Sequence, residues 1–199
     1  MQQRSEETRH RILQSAIRLF SNNGYDATSV ADICQSAGVS KGAFYHHFPT
    51  KQAVFRSLLD DWLAGIDQQM DALRQTGQTV PENLVSMAGM LRGVFQDADQ
   101  RLAMFLEFWT QSSRDPTLWQ TTIDPYRRYQ AFFAALVQQG IQEGSFRKVD
   151  PDMAARLIVS LAVGLLLQGL LDPHGADWVQ VGQQGMQLLM DGFSTMRSE

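Results

Sequence analysis

The stretch that decides the fold is Thr28-Ser29-Val30-Ala31-Asp32-Ile33-Cys34-Gln35-Ser36-Ala37-Gly38-Val39-Ser40-Lys41-Gly42-Ala43-Phe44-Tyr45-His46-His47-Phe48-Pro49-Thr50-Lys51. Ser29 with Asp32 three residues on is a capping-box pattern that opens a helix. Val30, Ile33, Cys34 and Ala37 share one face of it, and Gly38 ends it. After a turn of about three residues, Ser40 caps a second short helix. Phe44 and Phe48, four apart, point to the core. Lys41, Gly42, Tyr45, His46 and His47 remain for the outer face. Pro49 stops this helix, because the residue before a proline avoids the α region, and Thr50 caps the next one.

Two short helices joined by a tight turn, the second with small and polar residues outward, suit a reader of the DNA major groove. The motif covers about residues 29–48. Gly42 and Ala43 are poor surface choices unless something approaches closely. Tyr45 and His46 can donate to phosphate or base, and Lys41 can read a guanine or touch phosphate. Ser40 sits with them at the start of the reading helix, and His47 shares its outer face. Thr28, Ser29 and Lys51 lie at helix N-termini, where backbone N–H groups and the helix dipole favour phosphate. As metal ligands, His46 and His47 would diverge by about 100° on a helix, so no metal is expected there. Cys34 reads as a small buried apolar side chain.

Upstream, a first helix is expected from about Ser5 to Asn23. Ser5 can cap it, and Ile12, Leu13, Ala16, Ile17 and Phe20 form its apolar face. Asn23-Gly24 stops it. Downstream, Val54, Phe55, Leu58, Leu59, Trp62, Leu63, Ile66, Met70 and Leu73 predict one long helix from Lys51 to about Gln75. Further helices are expected from Pro81 to about Asp97 and from Gln100 to Ser113. A seventh, restarted at Asp115-Pro116 and kinked or restarted at Asp124-Pro125, ends near Glu143-Gly144. Two more run from Pro151 to about Leu171 and on to about Met196. Strand signals are nearly absent, so the fold class is all-α with about nine helices.

Apolar residues make up 44% and charged residues 19% of the 199, enough for a packed core and against global disorder. Residues 1–59 hold seven Lys/Arg against four acids, whereas the whole chain carries a net charge of -4. A basic front and an acidic rear suggest two jobs in one chain. A single cysteine excludes a disulfide framework within the chain. Met1 to His10 is polar and charged, without the apolar segment of a signal peptide. Leu157 to Leu171 is short of the roughly 20 residues a bilayer needs. A cytoplasmic protein without a membrane partner is expected. No phosphate-binding glycine loop, nucleophile elbow or H-E-x-x-H occurs, so neither enzymatic activity nor a cofactor is expected.

The run from Thr28 to Lys51, with Ile12-Leu13, Ala16, Leu19-Phe20 and Gly24-Tyr25 before it, resembles the DNA-binding domain of the TetR family of transcriptional regulators. The resemblance is close over residues 8–60 and extends to the rest only in layout. It implies a helix-turn-helix domain at residues 1–50 and a helical ligand-binding and dimerisation domain at 51–199. It implies a homodimer, probing a pseudo-palindromic operator in double-stranded DNA whose half-sites lie about 34–36 Å apart. Repression relieved by a small apolar or aromatic effector follows from the same likeness. Methionines and aromatics line adaptable cavities and also fill cores. Those expected at the pocket are Trp62, Ile66, Met87, Met90, Leu91, Phe95, Met104, Phe105, Phe108, Trp109, Tyr126, Tyr129 and Phe133. Glu107, beside Phe108 and Trp109, joins them and either faces water or suits a cationic ligand. The nearly all-apolar helix at 151–171 must be covered on every side. A partner subunit can supply that cover through Leu157, Leu161, Leu165, Gln168, Gly182, Gly185, Met186, Leu189, Met190 and Phe193. A regulator without an effector is the alternative, and a helical carrier or enzyme a more distant one.

Overall fold

A computed structural model describes residues 2–90, 92–93, 106, 109 and 116–194, without the side chains of residues 2, 116–118, 121 and 122. Among them are eight helices: α1 (Gln2–Asn23), α2 (Val30–Ala37), α3 (Lys41–His47), α4 (Lys51–Arg74), α5 (Val80–Ala88), α6 (Pro116–Gln142), α7 (Pro151–Leu171) and α8 (Trp178–Phe193). The expected helix at 100–113 lies outside the described residues, apart from Leu106 and Trp109. The described residues fall into two compact units, one running to Gln68 and taking in Leu106 and Trp109, the other starting at Gln69.

The first unit is built on α1, α2 and α3, each packed on the other two. Ile12, Ala16, Phe20, Ile33, Phe44, Val54 and Phe55 are all but sealed from solvent. Burying a side chain of that size contributes about 1.5–3 kcal/mol each, which is why three short helices hold a fixed arrangement. Tyr25 stacks at 5.1 Å from Phe20 and edge-on at 5.5 Å from Phe55, tying the turn after α1 to α4.

In the second unit, α7 packs on α6 and α8, and α5 on α6 and α8. Val80, Leu84, Val137, Ile158 and Met190 are its most deeply buried side chains. The turn after α6 is pinned to the end of α8. Phe146 N–H donates to the Gly140 carbonyl (3.0 Å), Arg147 N–H to the Phe193 carbonyl (2.8 Å), and Arg147 Nε to the Gly192 carbonyl (3.0 Å). The buried Phe146 ring lies against Gly140, where a Cβ would collide with it.

Several element ends differ from the sequence reading. Ser5 does not cap α1, which starts at Gln2, because Gln2, Gln3 and Arg4 are good helix formers and extend it by a turn. α5 begins one residue early, after a Thr79–Glu82 capping box, and stops at Ala88, where Gly89 N–H donates to the Ser86 carbonyl. α6 runs through Pro125 without a restart. α7 starts at Pro151, with the Asp150 carboxylate accepting from Asp152 and Met153 N–H. With 21 residues and an 18-residue window of mean hydropathy 2.0, it is long and apolar enough to cross a membrane by length and composition alone, which corrects the argument from its last 15 residues. One third of that window is buried within the chain.

Candidate nucleic-acid interface

Each turn of the reader is fixed by local hydrogen bonds. Ser29 Oγ accepts from Asp32 N–H (3.2 Å), while Ser29 N–H and Oγ–H both donate to Asp32 Oδ2 (2.8 and 2.6 Å). These bonds hold the Asp32 carboxyl below the usual carboxylate range. Gly38 takes the left-handed conformation (φ 63°), open to glycine at little cost, and Val39 N–H closes onto the Cys34 carbonyl at 3.0 Å. Ser40 Oγ accepts from Ala43 N–H at 3.1 Å and starts α3. Thr50 Oγ1 accepts from Ala53 N–H at 3.1 Å and starts α4.

α3 then separates its faces as the sequence predicts. Phe44 is fully buried and Phe48 nearly so, their rings 6.1 Å apart. Ser40, Lys41, Gly42, Tyr45 and His46 are exposed, and Ala43 and His47 half-buried. Burial, then the neighbouring His46 and Arg9, holds the His47 imidazole below its usual range. Arg9 lies over the Phe48 ring at 5.5 Å and donates to Ser57 Oγ at 2.6 Å. A Cβ built at Gly42 would meet only Ser40 Oγ, at 3.8 Å. Nothing among the described residues requires glycine there. Cys34 is buried, and burial raises its thiol, opposed by Lys41.

Two of the residues expected to contact DNA turn their side chains inward. Thr28 is buried, and its hydroxyl donates to the Gly24 and Leu19 carbonyls at 2.9 and 3.3 Å. Lys51 Nζ donates to the Tyr25 and Thr28 carbonyls at 2.7 and 2.9 Å. Neither polar group is presented as a phosphate contact. The Ser29 and Thr28 N–H groups are also engaged within the chain, by Asp32 Oδ2 at 2.8 Å and the Tyr25 carbonyl at 3.4 Å.

The expected pocket residues are only partly described. Leu91, Phe95, Met104, Phe105, Glu107 and Phe108 lie outside the described residues. Trp62 and Ile66, on α4, and Trp109 are half-buried residues of the first unit. In the second unit Met87 is buried and packs as core, while Met90 is half-buried. Tyr126, Tyr129 and Phe133 form a half-buried stripe at helical spacing along α6. A separate open cleft of about 330 Å³ in that unit is lined by Asp71, Arg74, Gln75, Gln78, Val80, Asn83, Leu136 and Gln139. Most of its lining side chains are polar, and none of the described pocket candidates is among them.

The expected subunit interface divides by burial within the chain. Leu165, Gly182, Met186, Met190 and Phe193 are buried within their own chain. Gly185 is half-buried, and a Cβ there would meet Leu161 at 3.5 Å. Leu157 is exposed, as is Gln168, and Leu161 and Leu189 are half-buried. The apolar surface left open is instead Met153, Leu157, Val163, Leu167 and Leu171 on α7 with Val181 and Leu188 on α8. Met153, Leu157, Leu167 and Leu171 share one face of α7 by helical spacing, with Ser160 and Gly164 between them.

Two sequence families match the chain. Bacterial regulatory proteins, tetR family, matches residues 12–58, and BetI-type transcriptional repressor, C-terminal, matches residues 82–193. The transcriptional repressor KstR2 of Mycolicibacterium smegmatis is 28% identical over 96% of this chain and 93% of its own. The transcriptional regulator UidR of Escherichia coli is 27% identical, covering 98% and 97%. Among solved structures, a transcriptional regulator of Saccharomonospora viridis in complex with choline is 27% identical, with a TM-score of 0.78 over 96% of this chain and all of that one. FadR of Bacillus halodurans, at 20% identity and a TM-score of 0.81, shares the fold over 96% and 97%.

Proposed function

The chain belongs to the TetR family of transcriptional regulators, and from that premise we propose that it is a ligand-responsive repressor that binds a pseudo-palindromic operator as a homodimer. The observation that carries the reading is the outer face of α3. Lys41, Gly42, Tyr45 and His46 are exposed on a short helix anchored by Phe44 and Phe48. Lys41 and the Tyr45 hydroxyl supply phosphate or base contacts, Gly42 with Ala43 lets the groove come close, and Ser29 and Ser40 lie at the edges. We read the chain as a regulator acting on DNA in the cytoplasm and not as an enzyme.

Dimerisation uses the open stripe on α7 and α8. Leu171 and Leu188 are about three-quarters exposed, and large apolar side chains left this open suit an association surface. A two-fold symmetric dimer carries two copies of α3, one for each half of a pseudo-palindromic operator. The effector is a small apolar or aromatic molecule. The half-buried Tyr126, Tyr129 and Phe133 stripe supports this; the similar Saccharomonospora viridis regulator was captured with choline, a cation that aromatic faces also suit. α4 is one uninterrupted helix with residues in both units, so effector binding in the second unit can reach the reader along it. By linkage, DNA must then weaken the effector by the same factor that effector weakens DNA.

The test is selection of random duplex DNA by the purified protein, with the bound fragments retested at two salt concentrations. An inverted repeat bound more weakly at higher salt is the expected result, because phosphate contacts release counterions. That duplex then serves to screen effectors by loss of binding. A folded dimer that enriches no sequence would overturn the reading.

A further inference from the structure

Lys51 opens α4 at a position where a lysine is expected to reach the DNA backbone, yet its ammonium is engaged on the inside of the reader. Nζ lies 2.7 Å from the Tyr25 carbonyl, 2.9 Å from that of Thr28 and 3.5 Å from that of Asp26, and 4.2 Å from the centre of the Tyr25 ring. These carbonyls belong to the turn after α1, beyond the last helical residue, where acceptors must find donors outside the helix. An ammonium has three donors, and the turn offers three converging acceptors. The ring beneath it is buried between Phe20 and Phe55. Thr28, which gives one of the carbonyls, is itself fixed by its hydroxyl bonds to Gly24 and Leu19. The next residue is Ser29, the cap of α2.

We propose that Lys51 is a positioning residue: its ammonium closes the turn between α1 and α2 onto the first turn of α4, so that the reader and the start of α4 move as one body. To reach phosphate, it would have to abandon charge-assisted bonds that are about twice as strong as neutral ones, together with the aromatic face beneath it. The clamp sets the angle at which α2, and through the Gly38 turn α3, is offered to DNA. It also gives a shift in α4 a direct grip on the reader. The inference rests on the DNA-binding reading above, and its test separates the two.

Lys51→Met and Lys51→Arg are compared with the unaltered protein by operator titration over a range of salt, at a temperature where each is fully folded, and by amide hydrogen exchange without DNA. The clamp predicts that Lys51→Met loses operator affinity by roughly tenfold, one charge-assisted bond's worth of preorganisation. The slope of log affinity against log salt stays unchanged, and exchange quickens at Tyr25–Thr28 and in the first turn of α2. Lys51→Arg keeps the charge, but its flat, fixed fork cannot meet three converging carbonyls, so it also loses affinity at constant slope. A purely structural lysine would lower the melting temperature and leave affinity of the folded protein alone, which would overturn the proposal. So would a slope shallower by about 0.9 per protomer with exchange unaltered, the signature of a lost phosphate contact. If Lys51→Met does not fold, Lys51→Arg decides, and its matching the unaltered protein in affinity and exchange would refute the clamp. Failure of the unaltered protein to bind any operator would sink the regulator reading alone, since the exchange comparison needs no DNA.

Discussion

Gly42→Ala sets two properties of one position against each other. Gly42 is exposed within α3, and an added Cβ would meet only Ser40 Oγ at 3.8 Å, ordinary contact distance. Alanine in a helix is favoured over glycine by roughly 0.5–1 kcal/mol, because glycine loses more backbone freedom on folding. The free protein is therefore expected to become more stable, with a melting temperature higher by about 1–4 °C for a chain of this size. On the outer face of a reading helix, the same methyl group intrudes where the groove must approach. Overfilling a close contact costs about 1–3 kcal/mol, which is a loss of roughly 5- to 150-fold in operator affinity. Thermal melting and operator titration on one preparation measure both. A variant that is more stable and binds the operator as well as before would refute the assignment of this face to DNA. A less stable variant would refute the claim that the chain itself leaves room there.

Phe44→Ala should lower stability by about 3–5 kcal/mol, whereas Tyr45→Ala, half exposed, should leave the denaturant midpoint nearly unmoved and weaken operator binding. Equal stability of the two would reverse the faces of α3. Gly140→Ala drives a methyl group into the buried Phe146 ring and should destabilise by about 1–3 kcal/mol in chemical denaturation, with no loss if that turn simply shifts. The His47 imidazole has a lowered pKa when folded, so the unfolded chain binds more protons as pH falls through about 6.5. Stability should decline across that window as pH falls, and His47→Gln should flatten the decline in a series of melts. Leu167→Glu with Leu188→Glu places charge in the open stripe and should yield monomers in sedimentation, while a persistent dimer would move the interface elsewhere.

The reader was legible because its signals are local. A serine or threonine three residues before the group it caps, a glycine in the left-handed region and a proline after Phe48 each act within one turn. The same rule was available at Thr79 and Glu82, where the capping box lies inside what reads as a loop. Pro125 shows the limit of local reading. It removes a donor and crowds the preceding turn, yet α6 continues through it in a helix packed on α5 and α7. Periodicity sorts residues onto faces and does not say which face a neighbour in the same chain covers. Hence Met186, Met190 and Phe193 read as a subunit contact and prove to be core, while Met153, Leu167 and Leu188 stay open. Lys51 shows a further limit. A four-carbon stem can carry its charge outward or inward, and only the placement of the Tyr25 and Thr28 carbonyls decides.

If the chain pairs through the open stripe on α7 and α8, as proposed above, its folding becomes a matter of protein concentration. Water must coat Leu171, Leu188 and their neighbours in a lone subunit, and the energy of drying them is released only on pairing. Melting temperature should then climb with concentration, as it does wherever the native state is also an assembled one. A cell making few copies would hold a larger share of weakened single chains, open to proteolysis, and the number of competent readers would rise faster than the amount of protein made.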